Sequence, residues 1–501
     1  MPLILEKLIE FKLLLNKKVF LLFLSAAIYP LAFSPINLKF LSYISISVFI
    51  ILLLRSNRKE SIRLSFFYGF ILYFVGVSWV FNSIYNFGGE NLFSSVLITL
   101  IFILTLAATF IPIGFFINKS LKLSPTKSSL LISSLWIACE FIRSNLFGGF
   151  PWLIIGHSQI HTIFDNFFPI LGSYFVGFIV IVLSSFFSII LIQNLNKKYF
   201  IQLFVAAATL FIINLIPIHW TKHSNENINF AVIQANIHQG LKFDTSLTEK
   251  IKYKYQKMSE QHSDKDLIVW PETAIPELIG NHQYLNKLKE NYNESLLISG
   301  IFRFDLSSNK IFNSIVFLKE SMQFYDKRHL VPFGEYIPLK DFIKPLGKLL
   351  DVPMSDISEG NRNQSFIKFK NYNIYPLICY EIAYPDLIYT NKDEYGLILN
   401  LSNDGWFGDS FAPHQHLQIA QIRAIETQSY ILRAANTGIS AVINPTGKIN
   451  NFIPLNEEGV LTGNIFTTKF LTPYMVFGDY PILMLIFLLI FLHIYRFKRN
   501  G

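Results

Sequence analysis

Apolar positions are distributed along this chain in two different textures. Unbroken apolar runs occupy roughly 19–36, 38–54, 64–84, 94–117, 128–144, 165–193 and 199–218, with one more at 478–495. A helix needs ~20 such residues to cross a bilayer, so the pattern predicts a polytopic α-helical membrane protein with eight spans. The first run follows a long charged lead-in, is interrupted by Pro30 and Pro35, and is succeeded at once by further runs. It therefore reads as a span rather than a cleaved signal.

After Trp220 short β-patterned stretches alternate with amphipathic ones. The spacing predicts strands at Asn229–Ile237, Asp266–Trp270, Ser295–Phe302, Ile311–Leu318, Ser365–Lys370, Ile374–Cys379, Gly396–Leu401, Ile431–Ala435 and Ile439–Asn444. It predicts a Lys-rich helix at 243–262 and another at 413–429, with Pro413 favourably placed in its first turn. Such alternation indicates one α/β domain. The expected division is 1–218 with seven membrane helices, 219–472 as the α/β domain, and 473–501 as the eighth helix with its tail.

Charge refines this picture. The 501 residues are 51% hydrophobic and 15% charged, too little charge for an ordinary soluble chain, and the net charge is +9. A basic balance can signal nucleic acid, but here the cations sit in short loops between apolar runs. Lys7, Lys12, Lys17 and Lys18, then Arg55, Arg58, Lys59 and Arg63, then Lys119, Lys122 and Lys127, then Lys197 and Lys198 occupy every second loop and so fall on one side, as do Arg496, Lys498 and Arg499. The positive-inside rule then puts both termini in the cytoplasm and 219–477 outside it. No nucleic-acid partner is expected. Cys139 lies in an apolar run and Cys379 in a polar region, so no disulfide is expected either.

Candidate chemistry centres on Cys379, delivered by a short apolar strand to a turn with Tyr380 and Glu381. A thiol at a strand end suits a nucleophile; the alternative is a buried cysteine acting as a small hydrophobe. A nucleophile needs a base or a nearby cation. Glu272 in Trp270-Pro-Glu-Thr-Ala-Ile-Pro276 directly follows a buried strand, where a partly desolvated carboxylate could serve as general base or simply receive backbone N–H groups. Lys327 is either a surface cation in a basic run or a group that favours the thiolate and stabilises an oxyanion. Glu335, eight residues on, could hold that lysine. His414 and His416 alternate without a convincing third ligand and read as a polar helix start, so no metal is assigned. No glycine-rich phosphate loop is present. Glu140 and Arg143 lie near the end of the fifth apolar run, beside the turn Gly148-Gly-Phe-Pro-Trp152. That turn reads as an aromatic interfacial anchor or as a rim for a lipid chain.

In order and local context, Glu272, Lys327 and Cys379 resemble the Glu-Lys-Cys triad of the nitrilase superfamily. The segments WPETAIP, YDKRHLVPFGEYIP, CYE, NDGWFG, GFPW and RAANTGIS resemble its membrane branch, the apolipoprotein N-acyltransferases. The resemblance covers nearly the whole chain. It implies an αββα sandwich for the domain, with Cys379 as nucleophile, Glu272 as general base and Lys327 as oxyanion stabiliser. Glu335, Tyr380 and Glu381 would support them. It further implies a bacterial cytoplasmic (inner) membrane setting, a phospholipid acyl donor and a diacylated apolipoprotein acceptor, with no cofactor and no metal. Apolar loops near Phe333 or Trp406–Phe407 could form a lid. The rival expectations are a membrane-anchored amidase that passes the acyl group to water, and a transporter, which the sparse intramembrane charge disfavours.

Overall fold

The computed structural model describes residues 17–120, 123–194, 196–280, 282–332, 334–336, 357–364, 366–389 and 396–499. Phe333 lies outside these residues. The described chain divides into two compact units: Met1–Ser78, Leu97–Pro217 and Asp479–Gly501 in one, Trp79–Val96 and Ile218–Gly478 in the other.

In the first unit a helix occupies each apolar run. Arg58–Val77, Leu92–Ser120, Asp165–Ile192 and Lys197–Asn214 are long and apolar enough to cross a membrane; Phe40–Leu54 and Tyr480–His493 are shorter apolar helices. The helix of the run at 64–84 stops at Val77. The following segment, with Asn82, Asn86, Gly88 and Gly89, belongs to the other unit. Tyr29, Phe49, Tyr68, Phe110 and Trp136 form an aromatic centre, Phe49 stacking on Tyr68 at 4.0 Å. Glu140 and Arg143 are buried and brace the glycine-rich turn. Arg143 Nη1 donates to the carbonyls of Phe150 and, at 2.7 Å, Trp152, while Glu140 Oε1 accepts from Ile155 N at 3.1 Å. Both side chains thus satisfy backbone groups of that turn.

The second unit is built on strands β1 (Lys222–Gln234), β2 (Leu267–Val269), β3 (Ile275–Ile279), β4 (Leu296–Asp305), β5 (Lys310–Leu318) and β6 (Met322–Asp326), continuing with β7 (Ile367–Phe369), β8 (Tyr372–Ile378), β9 (Leu397–Ser402), β10 (Ile431–Ala435), β11 (Ser440–Ile443), β12 (Ile449–Ile453) and β13 (Gly459–Lys469). One sheet runs β13-β1-β2-β4-β5-β6 with β3 beside β4; the other runs β12-β11-β10-β9-β8-β7. Central strands pair in parallel: β1 with β2, β2 with β4, β8 with β9 and β9 with β10. Strands covered on both faces are mostly apolar, as is β9, buried at every position including Asn400 and Ser402.

The inner faces meet in one core. Phe230, Val232, Val269, Ile298 and Phe317 come from one sheet, Ile374, Ile378, Leu399, Leu401 and Leu432 from the other. Each such side chain fully withdrawn from water contributes ~1.5–3 kcal/mol. On the outer face of the first sheet, Ile251 and Tyr255 of helix Thr248–Ser259 and Leu285 and Leu288 of helix Gln283–Asn291 cover Ile233, Ile268 and Trp270. Helix Ala412–Thr427 covers the second sheet. The layers are therefore helix, sheet, sheet, helix, as the resemblance implied.

Several elements differ from the sequence reading. The helix expected at 243–262 starts later, at Thr248, runs to Ser259 and continues as a 3-10 turn to His262, because Asp244 Oδ1 accepts from Ser246 N at 2.9 Å and turns the chain before it. β3, β6, β12, β13 and the helix Gln283–Asn291 were not expected. β12 and β13 are edge strands with several solvent-facing residues, so they lack an apolar run.

Candidate active site

Strand ends deliver the candidate groups, as is usual for ligand sites of parallel sheets. β2 leads through Trp270, whose indole N–H donates to Ser259 Oγ at 2.8 Å, into Pro271 and Glu272. β6 leads directly into Lys327. β8 leads into Cys379, which takes a left-handed conformation with φ +49°. That region costs a residue bearing a Cβ roughly 1–2 kcal/mol, so its surroundings must hold it there. Glu272, Lys327 and Cys379 are all buried, at 6%, 1% and 7% exposure.

Lys327 Nζ lies 3.5 Å from Glu272 Oε1 and 2.9 Å from Glu335. The Asn313 amide, from β5, donates to Glu272 Oε1 and Glu335 Oε1, both at 2.8 Å. Glu335 Oε2 also accepts from Val331 N at 2.8 Å. Glu381 is saturated. Its Oε2 accepts from Ile378 N at 2.7 Å and Tyr325 OH at 3.0 Å, its Oε1 from Arg328 N at 2.6 Å and His329 N at 3.1 Å. It thereby ties the turn carrying Cys379 to the turn carrying Lys327. Tyr380 is buried with its ring 6.3 Å from that of His329 and 5.2 Å from that of Tyr384. The structure gathers Glu272, Lys327, Glu335 and Cys379 in one buried electrostatic cluster with Glu381 bracing two of its turns, while the Tyr380 ring packs towards His329 and Tyr384.

Burial, then the Glu272 carboxylate, push the Cys379 thiol up to about 12, outweighing the pull of Lys327. These surroundings favour the protonated sulfur over the thiolate, against the pull of Lys327. For Lys327, burial opposes the charge, but Glu335, Glu272 and Cys379 outweigh it and hold the amine well above its ordinary value. Lys327 is a fixed cation.

Sequence reasoning missed three features. Asn313 sits inside a strand with no motif to flag it. Lys242 is 1% exposed and donates to the Glu272 carbonyl at 2.9 Å. Burial lowers its pKa to about 7 although Glu272 and Cys379 resist. His416, in the polar start of helix Ala412–Thr427, is fully buried. Its Nδ1 faces Asp404 Oδ1 at 2.9 Å and its Nε2 the Cys379 carbonyl at 3.1 Å. Cys379, Asp404 and His416 have the donor types of a metal site. The Arg433 guanidinium, 2.7 Å from Asp404 and 3.1 Å from His416 Nδ1, stands as a competing cation, so this donor set does not suit a metal ion.

A thiol, a carboxylate and an ammonium at strand ends of a four-layer α/β fold define a carbon-nitrogen hydrolase type of protein, and residues 229–467 match the Carbon-nitrogen hydrolase family. Residues 25–186 match the Apolipoprotein N-acyltransferase N-terminal domain. The Apolipoprotein N-acyltransferase of Coxiella burnetii is 34% identical over 478 residues, covering 93% of this chain and 98% of that one. Those of Methylococcus capsulatus (31% identical, 94% and 95% covered) and Pseudomonas aeruginosa (33%, 91% and 92%) are similar over the same extent. The chain belongs to the apolipoprotein N-acyltransferase family.

Proposed function

We propose that this chain N-acylates lipoproteins through a thioester on Cys379. In the first half-reaction the Cys379 thiol gives its proton to Glu272 as the sulfur attacks a phospholipid ester carbonyl. Lys327 stabilises the tetrahedral oxyanion, and a positioned donor for such charge is worth about 2.7–4 kcal/mol. Collapse breaks the ester C–O bond. The leaving alkoxide takes the proton back from Glu272 and departs as a lysophospholipid. In the second half-reaction the α-amino group of a diacylglyceryl-modified N-terminal cysteine attacks the thioester carbonyl. Its proton passes to Glu272, and the expelled sulfur recovers one. The thioester conserves the acylating power of the ester, so no nucleotide is needed.

Glu335, Tyr380 and Glu381 are the supporting residues, Glu335 by holding Lys327 and Glu381 by fixing both turns. The observation that carries the reading is the placement of Lys327 Nζ between Glu272 at 3.5 Å and Glu335 at 2.9 Å, with Cys379 in the same electrostatic cluster. Both substrates are lipid-anchored, and extracting a chain into water costs ~0.8 kcal/mol per CH₂. Helices of membrane length on the same polypeptide suit that need. The topology proposed is eight spans, both termini cytoplasmic, and the 219–472 domain on the periplasmic face of a bacterial inner membrane.

Purified protein incubated with phospholipid and a diacylated lipopeptide should yield triacylated peptide and, without acceptor, an acyl adduct on Cys379 by mass spectrometry. Cys379→Ala should lose both products. Ammonia release from small amides with no acylated peptide would support the amidase instead. Cysteine-accessibility labelling in the 219–472 domain from the cytoplasmic side would overturn the topology.

A further inference from the structure

Behind the turn carrying Cys379 lies a network of charge that takes no part in either half-reaction. Asp404 follows β9, Arg433 is on β10, His416 on the helix Ala412–Thr427 and Asn400 on β9, and all are at most 2% exposed. Arg433 Nη2 donates to Asp404 Oδ2 at 2.7 Å and Arg433 Nη1 donates to Asn400 Oδ1. Ser402 Oγ donates to Asp404 Oδ1 at 2.7 Å. Sealing ionisable groups from water costs more than packing apolar ones of the same volume. The network also reaches backbone: Asn400 Nδ2 donates to the Leu377 carbonyl at 3.1 Å, Arg433 Nε to the Ile439 carbonyl at 3.3 Å, and two donors meet at the carbonyl oxygen of Cys379. His416 Nε2 reaches it at 3.1 Å and Asn400 Nδ2 at 3.5 Å.

A carbonyl only accepts, so Nε2 is the donor whether or not the ring is charged. Desolvation, then Arg433, lower the imidazole's affinity for a second proton while Asp404 opposes them, the net effect being a lowered pKa. Nδ1 lies between Asp404 Oδ1 at 2.9 Å and Arg433 Nη2 at 3.1 Å: the neutral ring accepts there from Arg433, the charged ring donates there to Asp404, and in either state Nε2–H donates to Cys379.

We propose that His416 is a positioning residue for acyl transfer, its ring fixed by Asp404 and Arg433 so that Nε2–H holds the Cys379 carbonyl and keeps that residue left-handed. This rests on Cys379 being the nucleophile. Freed of the hold, residue 379 relaxes towards ordinary backbone angles and its sulfur swings off the line between Glu272 and the ester carbon. A shift of about 1 Å at the reacting atom costs on the order of 10²-fold in rate.

The test compares His416→Asn with His416→Gln in the full-length protein, reading single-turnover acylation of Cys379 by phospholipid and the KM for phospholipid. The asparagine amide stands where Nδ1 does and faces Asp404 without reaching the Cys379 carbonyl, whereas the glutamine amide stands where Nε2 does and reaches it. His416→Asn should acylate about 100-fold more slowly with KM changed less than threefold, and His416→Gln should recover to within about tenfold of the parent. Equal rates in the two variants overturn the proposal. If His416→Asn does not fold, His416→Gln decides alone, a rate below a tenth of the parent overturning it. Cys379→Ala distinguishes this failure from that of the reading beneath it: triacylated peptide from Cys379→Ala sinks both, whereas equal His416 variants beside an inactive Cys379→Ala sink only the role of His416.

Discussion

Asn313 and Glu272 are joined amide to carboxylate at 2.8 Å, and the same amide nitrogen reaches Glu335 at 2.8 Å. One neutral side chain thus sets the separation of the two acids that hold Lys327. Asn313→Leu keeps the volume and removes both hydrogen bonds, leaving buried acceptors short of partners at about 1–3 kcal/mol. Acyl-enzyme formation should fall at least 100-fold, measured by mass spectrometry of Cys379 in a timed single turnover. A variant as fast as the parent would show that the two acids are placed by other means.

Glu335 and Lys327 act as a unit, 2.9 Å apart. Glu335→Gln should slow acylation about tenfold to 100-fold and Lys327→Met more than 1,000-fold. The double variant should be no slower than Lys327→Met alone, because groups acting together are not additive. Additive losses in single-turnover rates would separate their roles.

Lys242 carries a buried amine whose pKa burial lowers from 10.5 to about 7. A base depressed on folding costs stability below its unfolded value. That cost grows as pH falls from about 10 to about 7 and is constant below. Lys242→Met should therefore raise the Tm at pH 7, by an effect on the order of a few kcal/mol, and the advantage should shrink towards pH 10. Acylation should nonetheless slow, since the Glu272 carbonyl loses its donor. Thermal melts across that pH range with matched acylation rates test both signs.

Gly300 on β4 lies against the turn of the base. A Cβ there would fall 2.4 Å from Thr273 N and 2.5 Å from Glu272 Cα, and backbone cannot yield as a side chain can. Gly300→Ala should cost about 1–3 kcal/mol by overpacking and at least tenfold in acylation. Denaturant melts and the acylation assay should report both losses; a variant equal to the parent in each would mean that the turn is free to move.

Glu272 and Cys379 were legible because each follows an apolar strand pattern, and such ends are where an α/β sheet exposes side chains, whereas Lys327, behind the unexpected β6, stood out only through the resemblance of its segment. Glu335 could be found through its spacing from Lys327. Asn313 could not, since a polar residue inside a strand looks the same whether it faces solvent or a carboxylate. Lys242 drew no notice and the place of His416 beneath Cys379 could not be foreseen, because only tertiary burial distinguishes such a lysine or a helix-start histidine from its ordinary kind. The paired sheets were legible from apolar runs, whereas β12 and β13 lie at edges where half the positions are wet. The run at 64–84 was read as unbroken, yet its helix ends at Val77 and the residues from Trp79 to Val96 pack with the α/β unit.

That excursion of the chain has a practical bearing. Ser83 Oγ donates to the Trp406 carbonyl at 2.8 Å, and Trp79 and Phe87 set their rings against Phe407 and Trp406 at 4.9 and 5.9 Å. The unit bearing Cys379 is consequently encoded in two separated pieces. A truncated gene product starting near residue 218 would bare two large aromatic rings and leave a main-chain oxygen without its hydroxyl, however well its sheets assembled.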